Sequence, residues 1–214
     1  MQGMRRTWVS VLFWTALSLG IGFGALQIRS AADGPNRTVS WTRVYTSALP
    51  PKRLTEALTA VASNWPNWHF HTVQAQVVDG DDHPLPLNFQ FIETGSRVVL
   101  TQEVKGRKSK RYGLLLRVVE YLPGKSLRLA LERDTKGQIS ALVEDLEWKI
   151  DLAPEGAGTR ITAQIWGTTR SARARALAFL AEGVLMNQLW LADIEALSKI
   201  EQPVPVIAIP HGQR

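Results

Sequence analysis

The stretch RSARARALAFLAEGVLMNQLWLADIEALSKI, from Arg170 to Ile200, decides the fold. Apolar or small residues recur along it at helical spacing, which predicts one long amphipathic helix near the C-terminus. The other side of this helix carries charged and amide side chains and is predicted to face water. The apolar stripe consists of Phe179, Gly183, Met186, Trp190, Ile194 and Leu197.

The part of the chain before this helix is predicted to form β-strands joined by short turns, which indicates an antiparallel sheet. Apolar and polar residues alternate in its last two segments, so one face of the sheet is predicted to be apolar and covered by the helix. A short helix from Lys52 to Ser63, ended by Trp65-Pro66, is predicted after the first strand. The predicted strands are Trp41–Thr46, Phe70–Val78, Leu87–Glu93, Arg97–Val104, Tyr112–Leu122, Ser126–Arg133, Gln138–Leu152 and Gly158–Gly167.

The segment from Trp8 to Ile28 carries no charge and is dominated by large apolar residues. It is long enough to cross a bilayer, which needs roughly 20 apolar residues. This favours a single membrane-spanning helix. A cleaved secretory signal is the alternative, because Ser30-Ala31-Ala32 offers small residues for cleavage.

The short head before this segment carries two arginines, so we expect the head in the cytoplasm and the domain on the extracytoplasmic side. The predicted organisation is a basic head (1–7), a transmembrane helix (8–28), a linker (29–40), one domain (41–201) and a proline-containing tail (202–214).

The composition excludes several classes of function. The chain has no cysteine, which excludes disulfides, thiol catalysis and cysteine-ligated zinc. It has no GxSxG motif, phosphate loop or dinucleotide fingerprint, so no cofactor is indicated. The aspartates between Asp79 and Pro84 lack the ligand spacing of an EF-hand, so no metal site is expected. The net charge of +6 is spread widely, and no nucleic-acid partner is expected.

One run of basic residues, KGRKSKR, falls at the tip of a predicted hairpin. A solvated loop is the ordinary interpretation. In a membrane-tethered protein such a tip can also contact anionic lipid headgroups, which stabilises binding by about 1 kcal/mol per basic residue at the surface. The residues are Lys105, Arg107, Lys108, Lys110 and Arg111.

Several motifs follow one another in a characteristic order. After the opening strand come a short helix ending in WPNW, the antiparallel series with VVEYLPGKSL at 118–127 and LAPEGAGTRIT at 152–162, and the terminal helix. In this order, across about residues 41–201, the chain resembles the START-like SRPBCC superfamily, particularly its polyketide cyclase/dehydrase and lipid-transport group. The resemblance implies an α+β helix-grip fold, in which a curved antiparallel sheet wraps the C-terminal helix around an apolar pocket. Members bind lipids, sterols, polyketides or aromatic compounds, and only some are enzymes.

The expected pocket combines one strand residue with residues of the terminal helix. Gly183 makes room for close packing or for a ligand, since it costs helix stability relative to alanine. The buried amide of Asn187 needs a partner, either on the sheet or on a ligand. The predicted pocket residues are Trp148, Phe179, Gly183, Met186, Asn187 and Trp190.

Glu144 is the single weak candidate for a catalytic residue. It is the one acid on the apolar side of its predicted strand, and burial beside a ligand would suit it to general acid or base catalysis. A strand twist or bulge would instead place it in solvent. The expected function is non-catalytic binding of a hydrophobic small molecule or lipid by a membrane-anchored domain. The alternatives are a cyclase/dehydrase-like enzyme and a structural partner in a membrane complex.

Overall fold

The computed structural model describes residues 24–36, 38–69, 72–104, 110–137, 139–181 and 194–200 of the 214-residue chain. Its strands are β1 (Thr38–Ser47), β2 (Thr72–Val78), β3 (Arg97–Val104), β4 (Lys110–Leu122), β5 (Ser126–Asp134), β6 (Val143–Glu155) and β7 (Gly158–Thr169). They form one seven-stranded sheet in the order β1-β7-β6-β5-β4-β3-β2, and every neighbouring pair is antiparallel. The antiparallel sheet predicted from the sequence is confirmed.

The predicted strand from Leu87 to Glu93 is wrong. The segment contains a short 3-10 helix, Leu87–Phe89, and Phe91 forms only an isolated bridge with Ala60. Pro86 immediately precedes this turn and has no amide hydrogen to donate to a ladder. Apolar residues in the segment suggested a strand, but Leu87 and Phe89 are exposed.

The segment 87–93 does not pair with β2 as a strand, but the buried side chain of Gln90 forms hydrogen bonds with the β2 backbone. The Gln90 Oε1 atom accepts a hydrogen bond from the Val77 amide at 2.6 Å, and Nε2 donates to the Val77 carbonyl at 3.2 Å. Val77 belongs to β2, the last strand of the sheet. Gln90 therefore satisfies the Val77 amide, which an edge strand would otherwise leave unpaired, whereas the Val77 carbonyl also accepts from the Leu85 amide at 2.9 Å.

Two helices stand where one was predicted between the first two strands. They are α1 (Pro51–Thr59) and α2 (Val61–Trp68), separated by an extended Ala60 that bridges to Phe91. Pro66 lies inside α2 rather than ending a helix, which corrects the predicted boundary. The two indole nitrogens of α2 donate to carbonyls of α1: Trp65 to Leu58 at 2.9 Å and Trp68 to Ala57 at 3.3 Å. These bonds hold the two helices as one corner of the core.

The C-terminal helical region is described in two pieces, α3 (Ala172–Ala181) and residues 194–198. Residues 182–193, the middle of the predicted long helix, lie outside the described residues. Ile194 and Leu197 are fully buried in the same core as the apolar face of the sheet. The predicted contact between the C-terminal helical stripe and the sheet is therefore present at these two residues.

The N-terminal region enters the domain beside α3. Residues 24–33 are helical, and the Arg175 side chain donates to the Ala32 carbonyl at 2.8 Å and to Asn36 Oδ1 at 2.7 Å. In the described part of the chain, no helix is both long enough and apolar enough to span a membrane. Residues 8–23 of the predicted transmembrane helix, the head before it and the tail after residue 200 lie outside the described residues.

Replacing Gly158 with alanine is expected to destabilise the fold. A Cβ atom at Gly158 would lie 2.1 Å from the Ser47 carbonyl oxygen, and the next residue, Thr159, pairs with Ser47 in the ladder. Relief of this contact requires the end of the β1–β7 ladder to shift. We expect Gly158→Ala to lower the free energy of unfolding by about 1–3 kcal/mol in urea denaturation.

Gly80→Ala is the matched control, because a Cβ atom there has no neighbour within 4 Å. Its free energy of unfolding should stay within about 0.5 kcal/mol of the wild type. Equal unfolding midpoints for the two variants would contradict the steric explanation.

Candidate ligand-binding face

The apolar side of the sheet is its inner face, and backbone register aligns its residues in rows. Residues directly opposite each other in antiparallel strands project from the same face. One row runs across five strands and a second lies beside it. The first is Trp41, Ile165, Trp148, Leu129 and Val118, and the second is Arg43, Ala163, Ile150, Leu127 and Tyr121.

The inner face is apolar at its centre. Its aliphatic residues belong to the main core, together with buried residues of α1, α2 and the 194–198 helix. Trp148 lies on β6, flanked in register by Ile165 and Leu129. Both neighbours are buried, whereas the Trp148 side chain keeps part of its surface accessible. An apolar wall with few polar groups is the usual composition of a small-molecule site.

Of the predicted pocket residues, Trp148 is the one whose side chain the structure describes, and it lies on the inner face. Phe179 belongs to α3, where the structure describes its backbone. Gly183, Met186, Asn187 and Trp190 lie outside the described residues. The roles assigned to these four residues stay predictions.

Glu144 is not on the inner face, because β6 carries a bulge. Between Glu144 and Glu147, β6 has one residue more than β7 opposite it, and Asp145 adopts φ 52°. The extra residue reverses the alternation, so Glu144 pairs with Thr168 and is exposed. Its carboxylate lies 4.0 Å from the Arg170 side chain. Simple alternation predicted that Glu144 lies on the apolar face, and this is wrong. Glu144 lies in solvent, which was the alternative that the sequence left open.

The predicted basic run follows the end of β3. Val104 and Lys110 are the last pair of the β3–β4 ladder. Arg111 is exposed and lies 3.9 Å from Glu103, whereas Lys105, Arg107 and Lys108 are outside the described residues. Their contact with a membrane surface stays a prediction.

The loop after β2 brings Asp79, Asp81 and His83 together, with possible ligand atoms within 4.8 Å of one another. Asp79 Oδ1 already accepts hydrogen bonds from the backbone amides of Asp81 and His83, both at 2.9 Å. The pKa of the Asp79 carboxyl is lowered, and the hydrogen bond from the His83 amide is the largest cause. Arg97 also binds the Asp79 and Gly80 carbonyls, at 3.2 and 2.9 Å. These hydrogen bonds hold the turn against β3, and this structural role is enough to explain why the three side chains lie together.

Two tyrosines place hydroxyl groups near the inner face, and sequence reasoning singled out neither. The hydroxyl of Tyr121 hydrogen-bonds the hydroxyl of Thr59 on α1, and burial raises the pKa of Tyr121. Tyr45 shares its side of β1 with Trp41 and Arg43. Burial, followed by the nearby charge of Glu195, raises the pKa of Tyr45. The available signal was the alternation of large residues along the first strand.

No family model matches the sequence, and no curated protein does. Solved structures are similar to it at low sequence identity. Ara h 8.0201 is 14% identical with a TM-score of 0.51, and the match covers 76% of this chain and 96% of that one. Major latex-like protein 151 from Panax ginseng is 11% identical with a TM-score of 0.54, covering 76% and 93%. Truncated norcoclaurine synthase from Thalictrum flavum is 13% identical with a TM-score of 0.53, covering 78% and 95%.

Together with the sheet order, these similarities show that the chain has the helix-grip fold of these three structures. The α+β architecture expected from the sequence resemblance is confirmed at this level. At such identities the similarity concerns the fold alone.

Tyr121→Phe is expected to flatten the alkaline dependence of stability. Because burial raises the pKa of Tyr121 above 10.0, the folded state holds the phenol proton more tightly than the unfolded state does. This contribution is complete below pH 10 and is lost as the pH rises through the folded-state pKa. Urea denaturation across this range should show the wild type losing stability more steeply than Tyr121→Phe. Equal slopes would contradict the assignment.

Proposed function

We propose that the protein is a non-catalytic binder of a hydrophobic small molecule or lipid. The ligand would lie between the inner face and the C-terminal helical region. The observation that carries the proposal is the partial accessibility of Trp148 between its two buried row neighbours, Ile165 and Leu129. Because the neighbours of this large indole do not enclose it fully, we infer that there is space beside it on the apolar side of the sheet.

A structure with the same fold supports the binding of small organic molecules. Norcoclaurine synthase from Thalictrum flavum is described in complex with dopamine and hydroxybenzaldehyde, with a TM-score of 0.52 and 12% identity to this chain. The resemblance of the sequence to SRPBCC proteins points to the same broad ligand class.

We further propose that the domain is tethered at a bilayer by the segment 8–28, on the extracytoplasmic side. The strand directions support this arrangement. The start of β1, the end of β3 and the start of β4 lie at one end of the sheet, because neighbouring strands are antiparallel. The N-terminal segment therefore enters at the same end as the basic run Lys105–Arg111, where both would meet one membrane surface.

The enzyme alternative receives less support from the described residues. Glu144, the acid singled out for it, is exposed and close to Arg170 rather than on the inner face. A purely structural role would require a solidly filled space between sheet and helix. The following substitution separates that role from binding.

Ala163→Phe should block a ligand space on the inner face. Ala163 is buried in the second inner row, between Ile150 and Arg43. Because Ala163 is 1% exposed, the larger ring should lower the free energy of unfolding by about 1–3 kcal/mol, and it should also displace the ligand. Equilibrium dialysis of the full chain in detergent should show affinity for N-phenyl-1-naphthylamine falling about tenfold, which equals about 1.4 kcal/mol.

Gln164→Phe is the control, because Gln164 belongs to the opposite face of the same strand, and its affinity should match the wild type. No probe binding by the wild type would favour the structural role. Mass spectrometry of an organic extract of the wild type should detect the co-purified ligand.

Trypsin cleavage can test the membrane contact without any substitution. In nanodiscs with anionic lipid, cleavage of the full chain after the basic run should be several-fold slower than in zwitterionic nanodiscs. Added salt should restore the rate, since the attraction is screened. Lys125 is an internal control, because it is exposed at the β4–β5 turn, at the other end of the sheet. Equal rates at the basic run in both lipids would contradict the proposed contact.

A further inference from the structure

The indole of Trp41, which is partly buried, differs from those of the buried Trp65 and Trp68. Within the described part of the chain, its Nε1 atom is shielded from solvent and has no hydrogen-bond partner. By contrast, the Nε1 atoms of Trp65 and Trp68 both donate to backbone carbonyls. A buried donor without an acceptor loses its hydration with nothing in return, and such groups are rare in native structures.

The position of Trp41 relates this donor to the proposed ligand space. Trp41 lies on β1 opposite Ile165, and Ile165 lies opposite Trp148 on β6. The three residues occupy one row of the inner face, and Trp41 packs against the main core. The unsatisfied N–H group therefore belongs to the same wall as the partly accessible Trp148.

The chemistry of the indole restricts what can complete this site. Its N–H group donates one hydrogen bond and cannot accept one. Burying a charged group in an apolar space costs much more than burying a neutral one. A neutral acceptor on a mainly apolar molecule fits both conditions, and a carbonyl oxygen is the simplest such group.

We propose that Trp41 Nε1 binds a carbonyl oxygen of the ligand, which requires the protein atoms that shield this nitrogen to move aside. This inference rests on the proposed function and narrows its ligand class to carbonyl-bearing apolar compounds. Pure hydrocarbons would fill the same space and leave the donor unsatisfied. The remainder of the inner face would contact the apolar body of the molecule.

Two probes of nearly equal shape test this assignment: 2-acetylnaphthalene, which has a carbonyl oxygen, and 2-isopropylnaphthalene, which has none. Their affinities for the full chain can be measured by equilibrium dialysis in detergent, with protein-free detergent as the blank. In Trp41→Phe, the affinity for the ketone should fall about five- to tenfold, as for loss of one neutral hydrogen bond. The affinity for the hydrocarbon should change less than about twofold.

Trp68→Phe is the matched control, because it removes an indole N–H group that is already bonded to the Ala57 carbonyl. It should lower the unfolding midpoint and leave the ketone-to-hydrocarbon affinity ratio unchanged. β-(3-benzothienyl)alanine at position 41 keeps the shape of the indole without the N–H group. It should reproduce the loss of ketone affinity even if phenylalanine perturbs packing.

The outcomes separate the two levels of the proposal. If the wild type binds both probes and neither replacement at position 41 changes the affinity ratio, the assignment to Trp41 is overturned while the proposed binding function stands. If the wild type binds neither probe, the proposed function itself fails. A ratio that falls equally in Trp68→Phe would also overturn the assignment, because the effect would then not be specific to position 41.

Discussion

The need to cover the inner face of the sheet governs the architecture of this domain. Fully burying one large aliphatic side chain is worth about 1.5–3 kcal/mol, and the inner rows place such side chains on every central strand. One sheet cannot cover its own face, so α1, α2 and the C-terminal helical region must do so. The buried positions of Leu54, Leu58, Ile194 and Leu197 show these elements contributing to one common core.

Local alternation predicted this arrangement where strands are regular and failed where one is not. In β6, Leu146, Ile150 and Leu152 are buried, as the alternating pattern indicates. Glu144 departs from it because a single extra residue reverses the direction of the side chains. One residue of β7, Gly167, reflects the presence of this bulge in β6. A Cβ atom at Gly167 would lie 2.4 Å from Val143 Cγ1, so the bulged strand approaches β7 where a glycine permits it.

The other failures also arise from contacts between residues far apart in sequence. Nothing around Ala60 signals a break in the helix, but its bridge to Phe91 requires extended backbone there. Residues near Leu87 have the composition of a strand, whereas the neighbouring edge of β2 is satisfied by the side chain of Gln90. Sequence patterns identify which residues favour burial. They do not identify which backbone groups will meet.

The two tryptophans of the first inner row show the same limit at the candidate site. Trp148 was predictable, because it lies in a strand whose apolar positions alternate clearly. Trp41 was not, since β1 mixes polar and apolar residues and has only one neighbouring strand, β7. The register with Ile165 is what places Trp41 in the same inner row as Trp148, with one strand between them, and makes its buried N–H group chemically significant. An apolar wall alone would select ligands by size and hydrophobicity, whereas one fixed donor on that wall also selects the position of an acceptor.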